Sequence, residues 1–249
     1  MEPPVSGVPS AAGGEQVLLA DLRARLQARG KVPTLPAGWN NQSAMLAAEG
    51  FEYGGDFIVA DLDVQSRVLQ MVLVDVCGHG VTAVPVALQF AGALQSLIGV
   101  VRPEELLGAA NAYLLRQPSD ESFATAVHVE VELDSGRYRI RSAGHPPALR
   151  WVSQAERWEV DNARGTALGV SEAPEVHDSV GQLAPGEALL FYTDGVVESR
   201  SADIGEGIGW LQATARDAVL TAWEGAARRI IDLVDRGEDD RAVLILQRS

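Results

Sequence analysis

The sequence has little cysteine and few basic residues. One cysteine among 249 residues, Cys77, rules out a disulfide within the chain and fits a reducing compartment such as the cytoplasm. Lys and Arg number 20 against 34 Asp and Glu, for a formal net charge of −14. A chain this acidic lacks the basic surface of a nucleic-acid-binding protein, and it has no polybasic segment to attract anionic lipid.

The sequence also lacks the patterns of a signal peptide and of a membrane span. Its N-terminus, MEPPVSGVPSAAGGEQ, has no basic region followed by an apolar core. The uncharged run over residues 78–101 is long enough to cross a bilayer, but Thr82, Pro85 and Gln89 dilute it and a strand-like segment directly precedes it. We therefore predict a core helix and a cytoplasmic protein with no membrane span.

Composition divides the chain into an N-terminal region, residues 1–40, and one domain, residues 41–249. Residues 1–14 are rich in Pro, Gly, Ser and Ala, which predicts disorder. Apolar residues then recur at helical spacing: Val17, Leu18, Leu22 and Leu26. This short helix either dimerises the protein, docks on a partner or packs on its own domain. The proline-rich segment KVPTLPAGW predicts an extended linker.

From about residue 43 the pattern changes to short apolar strands separated by turns. FIVADLD and RVLQMVLVDV predict a hairpin that turns near residues 64–67. More strands are predicted in FATAVHVEVEL, RYRIRSA, PALRWV, EALLFYTD and RAVLILQ, and helices over residues 78–101, 103–117 and about 208–234. Runs of antiparallel strands with helices clustered in two places predict an α+β layered domain rather than a parallel βαβ fold.

Four aspartates lie at predicted strand ends. Asp56 precedes the first strand of the hairpin and Asp75 ends the second, so the hairpin places them side by side. Asp194 ends EALLFYTD and Asp239 precedes the last strand, so they meet if those strands are antiparallel neighbours. Each aspartate alone is ordinary turn chemistry. Four carboxylates at one edge would repel one another, and oxygen ligands without His or Cys suit Mg²⁺ or Mn²⁺.

One short string points elsewhere. Gly54-Gly55-Asp56-Phe57 resembles the GGDEF string of diguanylate cyclases. A cyclase requires glutamate after the aspartate and a βαβ-type nucleotide fold, whereas this chain has Phe57 and antiparallel strands. We interpret the match as coincidence, with the glycines letting the backbone turn into the strand.

An ordered set of motifs carries a more specific resemblance. Gly54-Gly55-Asp56, DVCGHGV, FATAVHVEVEL, RSAGHPPAL, ALGV, LLFYTDGVVE and DDRAVLIL follow the order and spacing of metal-dependent protein serine/threonine phosphatases. The chain most resembles the bacterial branch typified by the sporulation stage II protein E phosphatase, from about Gly50 to the C-terminus. The resemblance implies a four-layer α-β-β-α sandwich of two antiparallel sheets flanked by helices, with two Mn²⁺ or Mg²⁺ ions at one end.

The resemblance also implies roles for individual residues. Asp75 is expected to bridge both metals, with the backbone carbonyl of Val76 as a further ligand. Asp56 is expected to bind one metal, mainly through water, and Asp194 and Asp239 the other. Asp75 and Asp194 would thus be the catalytic carboxylates.

Other polar residues in the motifs are expected to be structural. Asp240 follows the matched metal-binding position, so it is a less favoured ligand. His79 is offset from the histidine of eukaryotic relatives and is expected to form a turn into the helix. Cys77 is read as a packed small side chain, His145 as a turn residue and His128 as a strand residue.

The implied function is hydrolysis of phosphoserine or phosphothreonine by a water activated between two metals. The implied substrate is a phosphorylated anti-anti-sigma-factor-like regulator of a bacterial partner-switching pathway. A non-catalytic binding module that keeps the phosphatase fold remains the alternative, although a scaffold has no need of four retained aspartates. No nucleic-acid partner is expected, and a homodimer through the N-terminal helix stays open.

Overall fold

Two antiparallel β-sheets lie face to face in this computed structural model, which describes residues 31–46, 55–77, 83–117, 123–198, 203–234 and 239–249. The predicted N-terminal helix and disordered segment lie outside the described residues, as do Gly54 and His79. The predicted domain boundary at residues 40 and 41 therefore stays a prediction.

One sheet has five strands: β1 (Trp39–Leu46), β6 (Leu149–Val152), β7 (Arg157–Val160), β10 (Ala188–Tyr192) and β11 (Arg241–Arg248). Their order is β1-β11-β10-β6-β7, and all neighbours are antiparallel. Strand β1 begins four residues before the predicted change of pattern at residue 43. Half of the residues in its sequence, WNNQSAML, are polar, and it pairs along its whole length with β11.

The other sheet has six strands: β2 (Phe57–Asp63), β3 (Val68–Val76), β4 (Ala124–Glu132), β5 (Arg137–Ala143), β8 (Arg164–Gly165) and β9 (Val176–Gln182). Their order is β2-β3-β4-β5-β9-β8. The predicted hairpin is confirmed, since β2 pairs antiparallel with β3 in a register that sets Phe57 opposite Val74.

Helices cover the outer face of each sheet. They are α1 (Ala83–Leu97), α2 (Leu106–Leu114), α3 (Ile204–Thr221) and α4 (Ala226–Asp232). Helices α1 and α2 pack on the six-stranded sheet, and α3 and α4 on the five-stranded one. The predicted helical stretch near the C-terminus is therefore two helices, separated at Gly225, whose φ of 73° favours glycine. The four-layer α+β fold is confirmed.

The uncharged run contributes α1, a helix of 15 residues in the core. Among the residues that the structure describes, no helix is long and apolar enough to cross a membrane.

Alternation along the strands builds three apolar layers. Successive side chains of a strand point to opposite faces, so odd-numbered residues of β3 fill the space between the sheets and even-numbered ones face α1 and α2. The inner set is Leu69, Met71 and Leu73, and the outer set is Val72, Val74 and Val76. Asp75, the next odd-numbered residue of β3, follows the inner set and lies at one end of the sandwich.

Candidate metal centre

Carboxylates from both sheets meet at one end of the sandwich, here called the acidic end and defined by Asp56, Asp75, Asp194, Asp239 and Asp240. The hairpin places Asp56 and Asp75 one register step beyond the pair Phe57 and Val74. In the other sheet β10 and β11 are antiparallel neighbours, with Tyr192 opposite Val243. Strand pairing therefore explains each pair of aspartates, and the packing of the two sheets brings both pairs to the same end, where the charges of Asp194 and Asp239 act on Asp75.

A sixth carboxylate, Glu198, joins this group. One ligand oxygen from each of Asp194, Glu198 and Asp239 lies within 4.8 Å of the others. Glu198 is held by a turn in which its backbone N–H donates to the carbonyl oxygen of Asp194 at 2.8 Å. Sequence reasoning missed it because it follows a turn rather than a strand end. Its only signal was an acidic residue four positions after Asp194.

Gly195 lets this turn approach the start of β11. A Cβ atom built on Gly195 would collide with the backbone carbonyl oxygen of Asp240. The glycine thus has a steric role in placing Asp194 next to Asp239, beyond the ordinary preference of Asp-Gly for turns.

Burial and mutual repulsion raise the pKa values of the carboxyl groups. Burial first, and then the charges of Asp194 and Asp239, raise the pKa of Asp75 to about 8. Burial, followed by the charge of Asp239, raises the pKa of Asp194 to about 6. The pKa of Asp56 lies well above its ordinary value, mainly through burial and then the charge of Asp75. Each group is shifted by the others, so they form one electrostatic cluster.

The donor set fits hard divalent cations. In the described part of the chain, the charges that shift the pKa values of Asp56, Asp75 and Asp194 belong to other carboxylates, with no lysine or arginine among them. One oxygen of Asp56, Oδ1, is buried and has no hydrogen-bond partner among the described residues. Clustered carboxylate oxygens without His or Cys are the ligands that Mg²⁺ and Mn²⁺ prefer.

The remaining predicted residues take structural positions. Val76 ends β3 with its side chain packed in the layer under α1, so it offers the acidic end only its backbone. Cys77 is exposed, and its N–H donates to the carbonyl oxygen of Phe123 at 3.1 Å. Cys77 is therefore not the packed small side chain that the sequence predicts, because β3 ends one residue earlier.

Two histidines are buried away from water. His128 lies in β4 with Nε2 3.2 Å from Oε1 of Gln70, and burial lowers its pKa to about 3. His145 lies between β5 and β6 with Nδ1 2.7 Å from Oγ1 of Thr125, and burial also lowers its pKa to about 3. Both are neutral near pH 7, as structural histidines would be.

The comparison with protein families identifies the chain. A family model described as stage II sporulation protein E (SpoIIE) matches residues 65–249. The chain belongs to this family. The match contains Asp75, Asp194, Glu198 and Asp239 but begins after Asp56, so the case for Asp56 depends on the geometry of the acidic end.

Two curated relatives of this SpoIIE-family chain come from Bacillus subtilis (strain 168). Phosphoserine phosphatase RsbP is 27% identical over 133 residues, which are 51% of this chain and 33% of RsbP. Phosphoserine phosphatase RsbU is 23% identical over 151 residues, which are 60% of this chain and 44% of RsbU. The alignments thus span less than half the length of either relative.

Solved structures share the fold. The structure of the RsbU and RsbW domains of Rv1364c from Mycobacterium tuberculosis matches with a TM-score of 0.71 and 28% identity, covering 88% of this chain and 63% of that one. RsbX in complex with magnesium matches with a TM-score of 0.65 and 14% identity, covering 87% of this chain and 98% of RsbX. At that identity RsbX shows the fold alone.

Proposed function

We propose that this protein is a metal-dependent phosphatase that hydrolyses phosphoserine or phosphothreonine in a protein. The observation that carries the proposal is the convergence of carboxylates from both sheets at the acidic end. Among the described residues, no cationic side chain contributes to the pKa shifts of Asp56, Asp75 and Asp194. Family membership and relatives named phosphoserine phosphatases support it.

The proposed ligands of two Mn²⁺ or Mg²⁺ ions come from both sheets. Asp75 is central, since the charges of Asp194, Asp239, Asp240 and Glu198 all raise its pKa. We assign it to both ions, with the carbonyl of Val76 beside it. Asp56 would serve one ion, and Asp194 and Asp239 the other, with the carboxylate of Glu198 beside them.

When bound, two such ions supply a water of lowered pKa and neutralise the phosphoryl oxygens of the substrate. The protein's own part is to hold the carboxylates in place before binding. Strand pairing fixes Asp56 and Asp75, and the glycine turn fixes Asp194. Without cations these groups would repel a phosphate dianion, so an acidic protein accepts an acidic substrate only when cations are present.

The experiment is hydrolysis of p-nitrophenyl phosphate and of a phosphoserine protein with and without Mn²⁺. Turnover is expected to require the metal. Asp75→Asn and Asp194→Asn are each expected to lower kcat by more than about 100-fold. Loss of an outer-shell partner, a residue that only hydrogen-bonds to a metal ligand, already costs about 10–100-fold, and loss of a ligand itself should cost more. Normal turnover by either variant would refute the site.

The substrate class is a further proposal, an anti-anti-sigma-factor-like phosphoprotein of a partner-switching pathway. Its support is the similarity to RsbP and RsbU and to the RsbU domain of Rv1364c. Pull-down from the native cell with Asp239→Asn as a substrate trap tests it. Capture of a phosphoprotein that the wild-type enzyme dephosphorylates is expected, and capture of none would count against this class.

A further inference from the structure

Two hydrogen bonds cross between the sheets at the acidic end, and both reach the start of β2. The hydroxyl of Thr193 donates to Oδ2 of Asp56 at 2.7 Å. The backbone N–H of Gly55 donates to Oδ2 of Asp240 at 2.5 Å. Thr193 directly follows β10 and Asp240 directly precedes β11, so both lie at the edge of the five-stranded sheet. Gly55 and Asp56 directly precede β2 of the six-stranded sheet.

Thr193 is held firmly enough to orient another group. It is fully buried, and its backbone N–H donates to the carbonyl oxygen of Ala242 at 3.1 Å. Its Oγ1 also accepts the N–H of Ala242 at 2.9 Å. Because an N–H only donates, the hydroxyl must accept at this bond, and its single hydrogen is left for Asp56.

The bond fixes one oxygen of Asp56 and leaves the other available. Oδ2 receives the Thr193 hydrogen, while the buried Oδ1 has no hydrogen-bond partner in the part of the chain that the structure describes. Metal-binding carboxylates are commonly oriented in this way, with one oxygen hydrogen-bonded to a neighbouring residue and the other oxygen facing the ion.

Neighbouring aspartates at the start of β11 have different surroundings. Asp239 is exposed and shares a carboxylate cluster with Asp194 and Glu198. Asp240 is 4% exposed and accepts the N–H of Gly55. Asp240 therefore fixes the backbone just before Asp56, while Thr193 fixes its side chain.

We propose that Thr193, assisted by Asp240, is a positioning residue that presents Oδ1 of Asp56 to a divalent cation from the opposite sheet. This inference rests on the proposed function, because it assigns Asp56 to the metal site. If Thr193 had only a structural role, its hydrogen bonds to Ala242 would simply extend the pairing of β10 with β11. The two readings differ in what they predict for metal affinity.

Calorimetric titration with Mn²⁺ tests the proposal on wild type, Thr193→Val and Thr193→Ser. We expect Thr193→Val to weaken Mn²⁺ binding by about 10–100-fold, the usual effect of removing an outer-shell partner. Thr193→Ser keeps the hydroxyl and is expected to retain the wild-type affinity. Thr193→Ala, which removes the hydroxyl without adding bulk, replaces the valine variant if that one does not fold.

Two controls separate positioning from general stability. Ser179→Ala removes another buried hydroxyl–carboxylate contact, 2.7 Å from Asp161, away from the acidic end. It is expected to lower the melting temperature and leave Mn²⁺ affinity unchanged. In an Asp56→Asn background, Thr193→Val should add little further loss, because the group through which it acts is already changed.

Wild-type affinity in both Thr193→Val and Thr193→Ala would overturn the proposal, as would an equal loss in Thr193→Ser and Thr193→Val. If wild type itself binds no Mn²⁺, the proposed function fails first. Normal binding by wild type with unaffected Thr193 variants refutes the positioning role alone.

Discussion

The two ends of the β-sandwich differ in how their charged groups are partnered. At the acidic end, carboxylates face one another, and burial and repulsion raise the pKa values of Asp56, Asp75 and Asp194. At the opposite end, the guanidinium of Arg248 donates to the carbonyl oxygens of Ser135 and Leu183, each at 2.7 Å. Strand β11 thus begins beside a cluster of like-charged carboxylates and ends in a guanidinium whose N–H groups donate to carbonyl oxygens.

The partnered end illustrates a group that stabilises the fold. Arg248 also donates to the carbonyl oxygen of Asp134 at 2.8 Å, and its guanidinium carbon lies 5.8 Å from the ring centre of Trp39. The indole N–H of Trp39 donates in turn to the carbonyl oxygen of Leu133 at 2.9 Å. We infer that residues of this end act on folding, whereas those of the acidic end act on metal binding and reduce the stability of the metal-free fold.

The largest effect on folding is expected for Arg248→Ala. Loss of its hydrogen bonds leaves carbonyl groups without their donor, so the free energy of unfolding should fall by about 3 kcal/mol. Mn²⁺ affinity should not change. Chemical denaturation and calorimetry measure the two quantities. Arg139→Ala is the matched control, since its ion pair with Asp178 is solvent-exposed and contributes at most about 1 kcal/mol. Weakened Mn²⁺ binding in Arg248→Ala would break the contrast between the ends.

Gly195→Ala should affect both properties at once. The added methyl would collide with the Asp240 carbonyl oxygen, so the turn that carries Asp194 must shift away from β11. We expect about 1–3 kcal/mol of destabilisation, as for other overpacked sites, together with weaker Mn²⁺ binding. Gly108→Ala is the control, because a Cβ in this helical position meets nothing within 4 Å. Equal behaviour of the two variants would count against the close approach at Gly195.

The metal-free protein should lose stability as the pH rises from 6.5 to 8. The pKa of Asp75 is about 8 in the fold against an ordinary 3.8, so the folded protein keeps a proton that the unfolded chain has lost. Stability then falls with rising pH. Below pH 6.5, His128 and His145 act in the opposite direction, because only the unfolded chain protonates them there.

Thermal melts in chelator across this window check the prediction. Asp75→Asn removes the titrating group, so its melting temperature should depend less on pH and exceed that of wild type at pH 8. A wild-type melting temperature that stays constant or rises from pH 6.5 to 8 would contradict the pKa of Asp75.

The smallest effect is expected for Glu198→Gln. It removes one charge from the group with Asp194 and Asp239 but keeps an oxygen that binds a cation. Mn²⁺ affinity should fall by less than about 10-fold, the lower limit for an outer-shell partner, and by less than in Asp194→Asn. Calorimetry of the two variants side by side decides this, and an equal loss would make Glu198 a full member of the ligand set.

Local sequence pattern was sufficient for the elements that bring the aspartates together. Alternating apolar residues predicted the β2–β3 hairpin and β11, and hairpin geometry then placed Asp56 beside Asp75. Strand β1 was harder to predict, because WNNQSAML has few β-favouring residues and becomes a strand by pairing with β11.

Contacts between the sheets were beyond the reach of local pattern. Thr193 and Asp56 are 137 positions apart, and Gly55 and Asp240 are 185 apart. Only the packing of one sheet on the other brings them together. The family resemblance set Asp240 apart from Asp239 only by its place after the matched metal-binding position, whereas the fold shows the hydrogen bond that Asp240 accepts from Gly55.

The most direct test is calorimetric titration of the metal-free wild-type protein with Mn²⁺ at pH 7.5, next to Asp75→Asn and Arg248→Ala. We predict two ions per wild-type chain, unchanged binding in Arg248→Ala, and loss of binding in Asp75→Asn even though that variant is folded. Absence of Mn²⁺ binding by wild type, or full binding by Asp75→Asn, would contradict the assignment of the acidic end as a metal centre and would favour a non-catalytic binding module.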